Sequence, residues 1–287
     1  MNKISSKHFD LIIEIVILLV VFLVPTIFDR RLGIVFSGTK VAFMRSLGII
    51  LLSLWTMKLL IFKKHCFART VLDWPVVAFL LCTTVATLTS VHVYTSFVGF
   101  YGRYEGLSTW YLYGLFFFVV TNYMKSFEQL KRIVMMVLAA GTYMAIYSII
   151  QRHSLDPYMW GGVVTWQRVI GTIGQPNFLA GYMLMAFFLG LAVLLMNKGD
   201  EKAPINWFEQ LFPLGYFIAI QAIFLIMIYN FDIQNVVQWY LCFIAMSVSA
   251  LFFVFNFQSM HPLVLDVFIS INILLSYICI LYTQSRG

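Results

Sequence analysis

Followed from one end to the other, the chain alternates long hydrophobic runs with short polar or Pro/Gly-bearing turns. Crossing the hydrocarbon of a bilayer takes roughly 17–25 residues of helix. Runs of that order lie near Leu11–Phe28, Ser46–Phe62, Trp74–Ser90, Ser108–Tyr123 and Ile133–Ile150. Four more lie near Phe178–Met196, Leu211–Tyr229, Trp239–Phe257 and Leu263–Tyr282. The turns between them include Lys63–Asp73, Asn197–Gln210 and the tight Phe257–Pro262. The longest polar stretch, Gln151 to Asn177, is too short to hold a core of its own. The pattern predicts an all-α protein, a polytopic transmembrane helical bundle of about nine spans, with residues 1–287 forming one membrane domain.

Composition supports this. The 287 residues are 61% hydrophobic and only 11% charged, with a mean hydropathy of +0.89. A soluble domain is about 25% charged, so this chain has too few charges to cover a globule, and most of its surface must face lipid. The net charge of +7 brings nucleic acid to mind, but Lys and Arg stand singly or in pairs at the ends of apolar runs, where they anchor helices. No basic stripe exists, and no nucleic-acid partner is expected. Trp55, Trp74, Trp110, Trp160, Trp207 and Trp239 fall at or near the ends of predicted spans, as an aromatic belt does. The cysteines Cys66, Cys82, Cys242 and Cys279 are scattered without a CxxC pair, so neither a metal site nor a disulfide framework is expected. The first run has basic residues before it and no small-residue cleavage site after it, and reads as a retained helix.

Loop charge sets orientation. With the amino terminus inside, the inner segments carry Lys3, Lys7, Lys63, Lys64, Lys125 and Lys131 among others, and the outer segments carry Arg30, Arg31, Lys40, Arg45, Arg103, Arg152, Arg168 and Arg286. The inward bias is slight, and the outer basic residues run against the usual trend.

Three segments hold candidate chemistry. Arg168-Val-Ile-Gly-Thr-Ile-Gly-Gln-Pro-Asn177 opens the sixth span. Gly171 and Gly174 permit positive φ and close backbone approach, and Pro176 with Asn177 suits a helix start. Free N–H groups there, together with Arg168, would form an anion pocket; an ordinary capped helix start with a snorkelling arginine is the other reading. Gly99-Phe-Tyr-Gly-Arg-Tyr-Glu-Gly106 contains Arg103 and Glu105, the only ionised side chains between Asp73 and Lys125, and is either a binding loop or a solvated turn. The chain breaks off at Tyr282-Thr-Gln-Ser-Arg-Gly287 without a polar tail, which suggests a fragment. Glu14, about one turn into the first span, is expected to snorkel or to be protonated. His92 and His153 are more readily packing residues than bases, and the hydroxyls of Thr83, Thr84, Thr87, Thr89 and Ser90 suit bonds to backbone or a neighbouring helix. No Walker A loop, Rossmann fingerprint, HExxH or GxSxG occurs.

These motifs, in this order and at these span ends, resemble the O-antigen ligase and polymerase superfamily of bacterial transferases. The resemblance runs over essentially the whole chain, from Lys40 through Leu72-Asp-Trp-Pro75, Ser90, Gly102-Arg-Tyr-Glu-Gly106, Arg168 and Gly171-Thr-Ile-Gly-Gln-Pro-Asn177 to Thr283-Gln-Ser-Arg-Gly287. Gln175 stands where such proteins commonly have Asn. The resemblance implies a GT-C-like membrane transferase that moves a glycan, without metal or cofactor and with inversion, from a polyprenyl diphosphate to a lipid, glycan or protein acceptor. The site would lie at the outer face of the bacterial cytoplasmic membrane. It further implies that Arg168, then Arg103 and Arg286, then Lys40 and Asn177, contact the diphosphate. The family's outer loop with its proposed histidine base would follow Gly287, so the catalytic residue is not assigned within this sequence. A flippase or other transporter of lipid-linked glycans is the rival, and would show discontinuous helices with polar residues at mid-membrane. A non-catalytic membrane scaffold is a third possibility.

Overall fold

A computed structural model of the chain describes residues 6–62, 68–156, 158, 160, 165–196, 207–230 and 235–285. Among them there is no strand. The helices are α1 (Ser6–Thr26), α2 (Ser37–Ile61), α3 (Asp73–Leu88), α4 (Val93–Val98), α5 (Leu107–Tyr123), α6 (Phe127–Arg152), α7 (Pro176–Met196), α8 (Trp207–Asn230), α9 (Val236–Asn256) and α10 (Pro262–Thr283). Each apolar run identified in the sequence carries one of them. Six, namely α1, α2, α6, α7, α9 and α10, are long and apolar enough to cross a membrane, the make-up of a multi-pass membrane protein. Helices α3 and α5 are shorter, at 16 and 17 residues, and the described apolar part of α8 is Leu211–Met227.

Several helices start before their hydrophobic runs, α1 at Ser6 rather than Leu11 and α6 at Phe127 rather than Ile133. Helix α2 starts at Ser37 rather than at Ser46 and takes in Lys40 and Arg45; Gly38 stands in the first turn, no proline interrupts the segment, and the long Lys40 side chain suits the first turn of a helix at a membrane surface. Helix α4, a six-residue turn, falls in what the pattern treats as a loop.

The chain divides into two compact units, Met1–Val20 with Phe28–Lys131, and Val21–Ile27 with Arg132–Gly287. In the first, α5 packs against α2, α3 and α4. Phe79 meets Trp110 edge-on at 5.1 Å, and the Thr84 hydroxyl lies 2.7 Å from that of Tyr111. Thr83 and Thr87 donate to carbonyls one turn back, the bland role open to them from sequence. At one end, the Lys58 ammonium is 2% exposed, pairs with Asp10 and lies 4.3 Å from the centre of the Tyr123 ring. Glu14 is 5% exposed and accepts a bond from Gln129 Nε2 at 3.4 Å, as a buried carboxyl group needs a donor.

In the second unit α6 is the core helix. Every residue from Met135 to Ala145 is buried, as a helix apolar all round requires. Asn272 of α10 bridges to it, its Nδ2 donating to the Leu138 carbonyl and the Thr142 hydroxyl, both at 2.8 Å. Helices α7 and α10 pack against each other, as do α8 and α9, the latter through rings such as Phe217 on Phe253 at 5.3 Å. Helix α10 starts where His261 Nδ1 accepts from Leu263 N, with Pro262 in the first turn.

Candidate functional site

The site is built on the turn between Arg168 and α7. Val169, Ile170 and Thr172 are buried, which sinks the turn into the second unit and leaves Arg168 and Gln175 exposed at its two ends. Gly171 and Gly174 adopt φ of +56° and +84°, values an L side chain resists. The Gly171 amide donates to the buried Gln151 Oε1 at 2.8 Å, and the Thr172 hydroxyl donates to the Pro25 carbonyl at 2.8 Å. Pro176 then opens α7, contributing a preset φ and no orphan N–H.

Arg168 is held on two sides. Its Nε donates to the Thr283 carbonyl at 2.9 Å, and its Nη2 donates to Asn177 Oδ1 at 2.6 Å. The Ser285 hydroxyl also donates to Asn177 Oδ1, at 3.1 Å, and Val169 N donates to the Tyr282 carbonyl at 3.3 Å. The sequence suggests Asn177 as a helix cap, and the structure corrects that. Asn177 is already the second residue of α7, and its side-chain oxygen is spent on Arg168 and Ser285. A guanidinium has five N–H donors, so Arg168 keeps donors free on its exposed edge. Asn177 and Phe178, at the first turn of α7, have backbone N–H groups with no partner among the described residues. An oriented cation beside open helix-start amides is an arrangement that receives anionic oxygen.

The other candidates stand differently. Arg286 lies outside the described residues. Arg103, in the first unit, is exposed in the Gly99–Gly106 loop, and its side chain makes no bond to a described residue. It forms no ion pair with Glu105. That loop closes tightly, since a Cβ on Gly106 would lie 2.3 Å from Gly99 N. Lys40 is half-buried in the first turn of α2. Two of the remaining outer-loop arginines have structural work. Arg31 makes a two-pronged pair with buried Asp29 at 2.8 and 2.9 Å, and Arg45 donates to Val98 O and Ser108 Oγ, both at 3.1 Å.

Sequence reasoning missed Asp156. Its Oδ2 accepts from the Tyr147 hydroxyl at 3.0 Å, Gln151 Nε2 at 3.2 Å and Trp160 Nε1 at 2.7 Å. Its Oδ1 accepts from Tyr158 N at 3.1 Å. Through Gln151 this carboxylate supports the Gly171 amide. The usable signal was a lone acid in the Gln151–Asn177 stretch with Tyr147, Tyr158 and Trp160 close by in sequence. Among the described residues no group of His, Cys, Asp and Glu is placed to hold a metal. No family model, no curated protein and no solved structure matches the chain.

Proposed function

We propose that the chain belongs to an O-antigen-ligase-like transferase of about nine spans and GT-C-like fold, acting on a polyprenyl-diphosphate-linked glycan. Its amino terminus is cytoplasmic, and the donor headgroup meets it at the outer face of the bacterial inner membrane. In the reaction, an acceptor hydroxyl oxygen bonds to the anomeric carbon and the bond from that carbon to the diphosphate oxygen breaks. The acceptor proton goes to a base, and polyprenyl diphosphate leaves. Negative charge grows on the leaving diphosphate, so a fixed cation at that point lowers the barrier.

The observation that carries this reading is the Arg168 guanidinium, oriented by Thr283 and Asn177 with donors left over beside the open amides of α7. Arg286, Arg103 and Lys40 are carried by the resemblance alone. The acceptor is a lipid, another glycan or a protein. A transporter would instead need broken helices at mid-membrane, and the described long spans α6, α7, α9 and α10 are continuous.

The test is glycan transfer in membranes that contain the full-length protein. Arg168→Ala is expected to abolish transfer while membrane insertion is unchanged; transfer at the wild-type rate would sink the assignment.

A further inference from the structure

A second guanidinium reaches the same turn of α10. Arg152, the last residue of α6, donates from Nη1 to the carbonyls of Trp166 and Gln167, the latter at 2.8 Å. Those two residues immediately precede Arg168. The Arg152 guanidinium also lies 5.3 Å from the centre of the Tyr282 ring, and Arg168 holds the carbonyl of the next residue, Thr283. Two cations therefore grip neighbouring residues of one helical turn from neighbouring points of one segment.

Neither cation has a carboxylate partner among the described residues. The acid closest to Arg152 in sequence, Asp156, gives its oxygens to four neutral donors instead. Like charges brought together without a counter-charge raise each other's energy, and an anion between them relieves it. Arg152 commits only Nη1, and Arg168 commits Nε and Nη2, so both forks retain donors. The aromatic ring and the two carbonyls fix the Arg152 plane in advance, which limits the ordering cost of binding.

We infer that Arg152 is a second anion-binding residue of the Arg168 site, and that the pair selects a headgroup with two phosphoryl groups over one with a single phosphoryl group. This rests on the reading of the site as a lipid-diphosphate site. A diphosphate offers each guanidinium its own set of non-bridging oxygens, which planar forks match well. A monophosphate satisfies one fork and leaves the other uncompensated.

The full chain, purified in detergent micelles, is tested by equilibrium binding of geranylgeranyl diphosphate, geranylgeranyl monophosphate and inorganic pyrophosphate. Ligand-free thermal melting is recorded alongside. Wild type is expected to bind the lipid diphosphate about tenfold more tightly than the monophosphate, the scale of one charged hydrogen-bonding contact. Arg152→Gln, whose amide can still donate to a Trp166 or Gln167 carbonyl, is expected to bring that ratio to about one with monophosphate binding held within about twofold. Arg152→Lys, which keeps a charge, is expected to retain a ratio within about threefold of wild type. Competition by pyrophosphate identifies the headgroup alone as the ligand, and its failure to compete identifies the lipid form as the source; either agrees with the inference. An unchanged ratio in Arg152→Gln overturns it. So does a parallel loss of melting temperature and of both lipids in the two Arg152 variants, the mark of a structural staple. Wild type that binds both lipids equally overturns the inference alone, whereas wild type that binds neither overturns the lipid-diphosphate reading as well.

Discussion

Replacing Gly171 with alanine strains the turn that presents Arg168. The backbone there has φ of +56°, and the left-handed region costs an L residue about 1–2 kcal/mol. The added Cβ would lie 3.0 Å from both terminal carbons of Leu179 and 3.0 Å from Ser148 Oγ. Both neighbours are fully buried, so they have little room to give way. Overpacking of that kind costs about 1–3 kcal/mol, for a total of about 2–5 kcal/mol. At about 2–4 °C per kcal/mol, melting in detergent followed by tryptophan fluorescence should fall by about 4–20 °C. Gly181→Ala is the control. It sits in α7, and a Cβ there would meet nothing within 4 Å, so the helix should be unchanged or gain up to about 1 kcal/mol. A Gly171→Ala protein that melts with wild type would refute this account of the turn. An equal fall in Gly181→Ala would refute it too, since glycine removal anywhere would then suffice.

Asp156→Ala strands four donors, one of them the hydroxyl of fully buried Tyr147, and should cost about 2–4 kcal/mol in the same melting assay. Asp156→Asn should recover only part of that, because its NH2 faces other donors. Asp10→Ala leaves the Lys58 ammonium, 2% exposed, without its anion and should destabilise by about 3 kcal/mol. Lys58→Met removes the buried cation and leaves Asp10, itself 41% exposed, so it should be within about 1 kcal/mol of wild type. The reverse order of the two variants would show that the pair is not governed by burial.

Helix positions were largely legible because a lipid-facing helix must be apolar along its whole length. The start of α2 was not, since Lys40 and Arg45 read as loop residues. Arg45 is accommodated by Val98 O and Ser108 Oγ, partners 53 and 63 residues away. In the candidate site, residue types and glycine spacing pointed to Arg168 and the start of α7. The sequence could not show that the Thr283 carbonyl and the Ser285 hydroxyl come to meet them across more than 100 residues. Nor could it turn Asn177 from a cap into the orienting partner of Arg168. Asp156 and Arg152 were hidden for the same reason. Their significance lies in which donors and carbonyls they reach, and tertiary packing alone decides that.

The proposed function requires direct contact between the Arg168 guanidinium and a lipid diphosphate. The measurement that reaches it is nitrogen–phosphorus dipolar recoupling by solid-state NMR, with guanidinium-15N arginine protein and a polyprenyl diphosphate in lipid bilayers. Charge-assisted N–H···O contacts of about 2.7–2.9 Å place nitrogen within about 4–5 Å of phosphorus. Strong dephasing at that range is expected for the wild-type protein, with loss of the Arg168 contribution in Arg168→Lys. Wild-type dephasing that persists undiminished in Arg168→Lys, or no dephasing at saturating lipid, would contradict it.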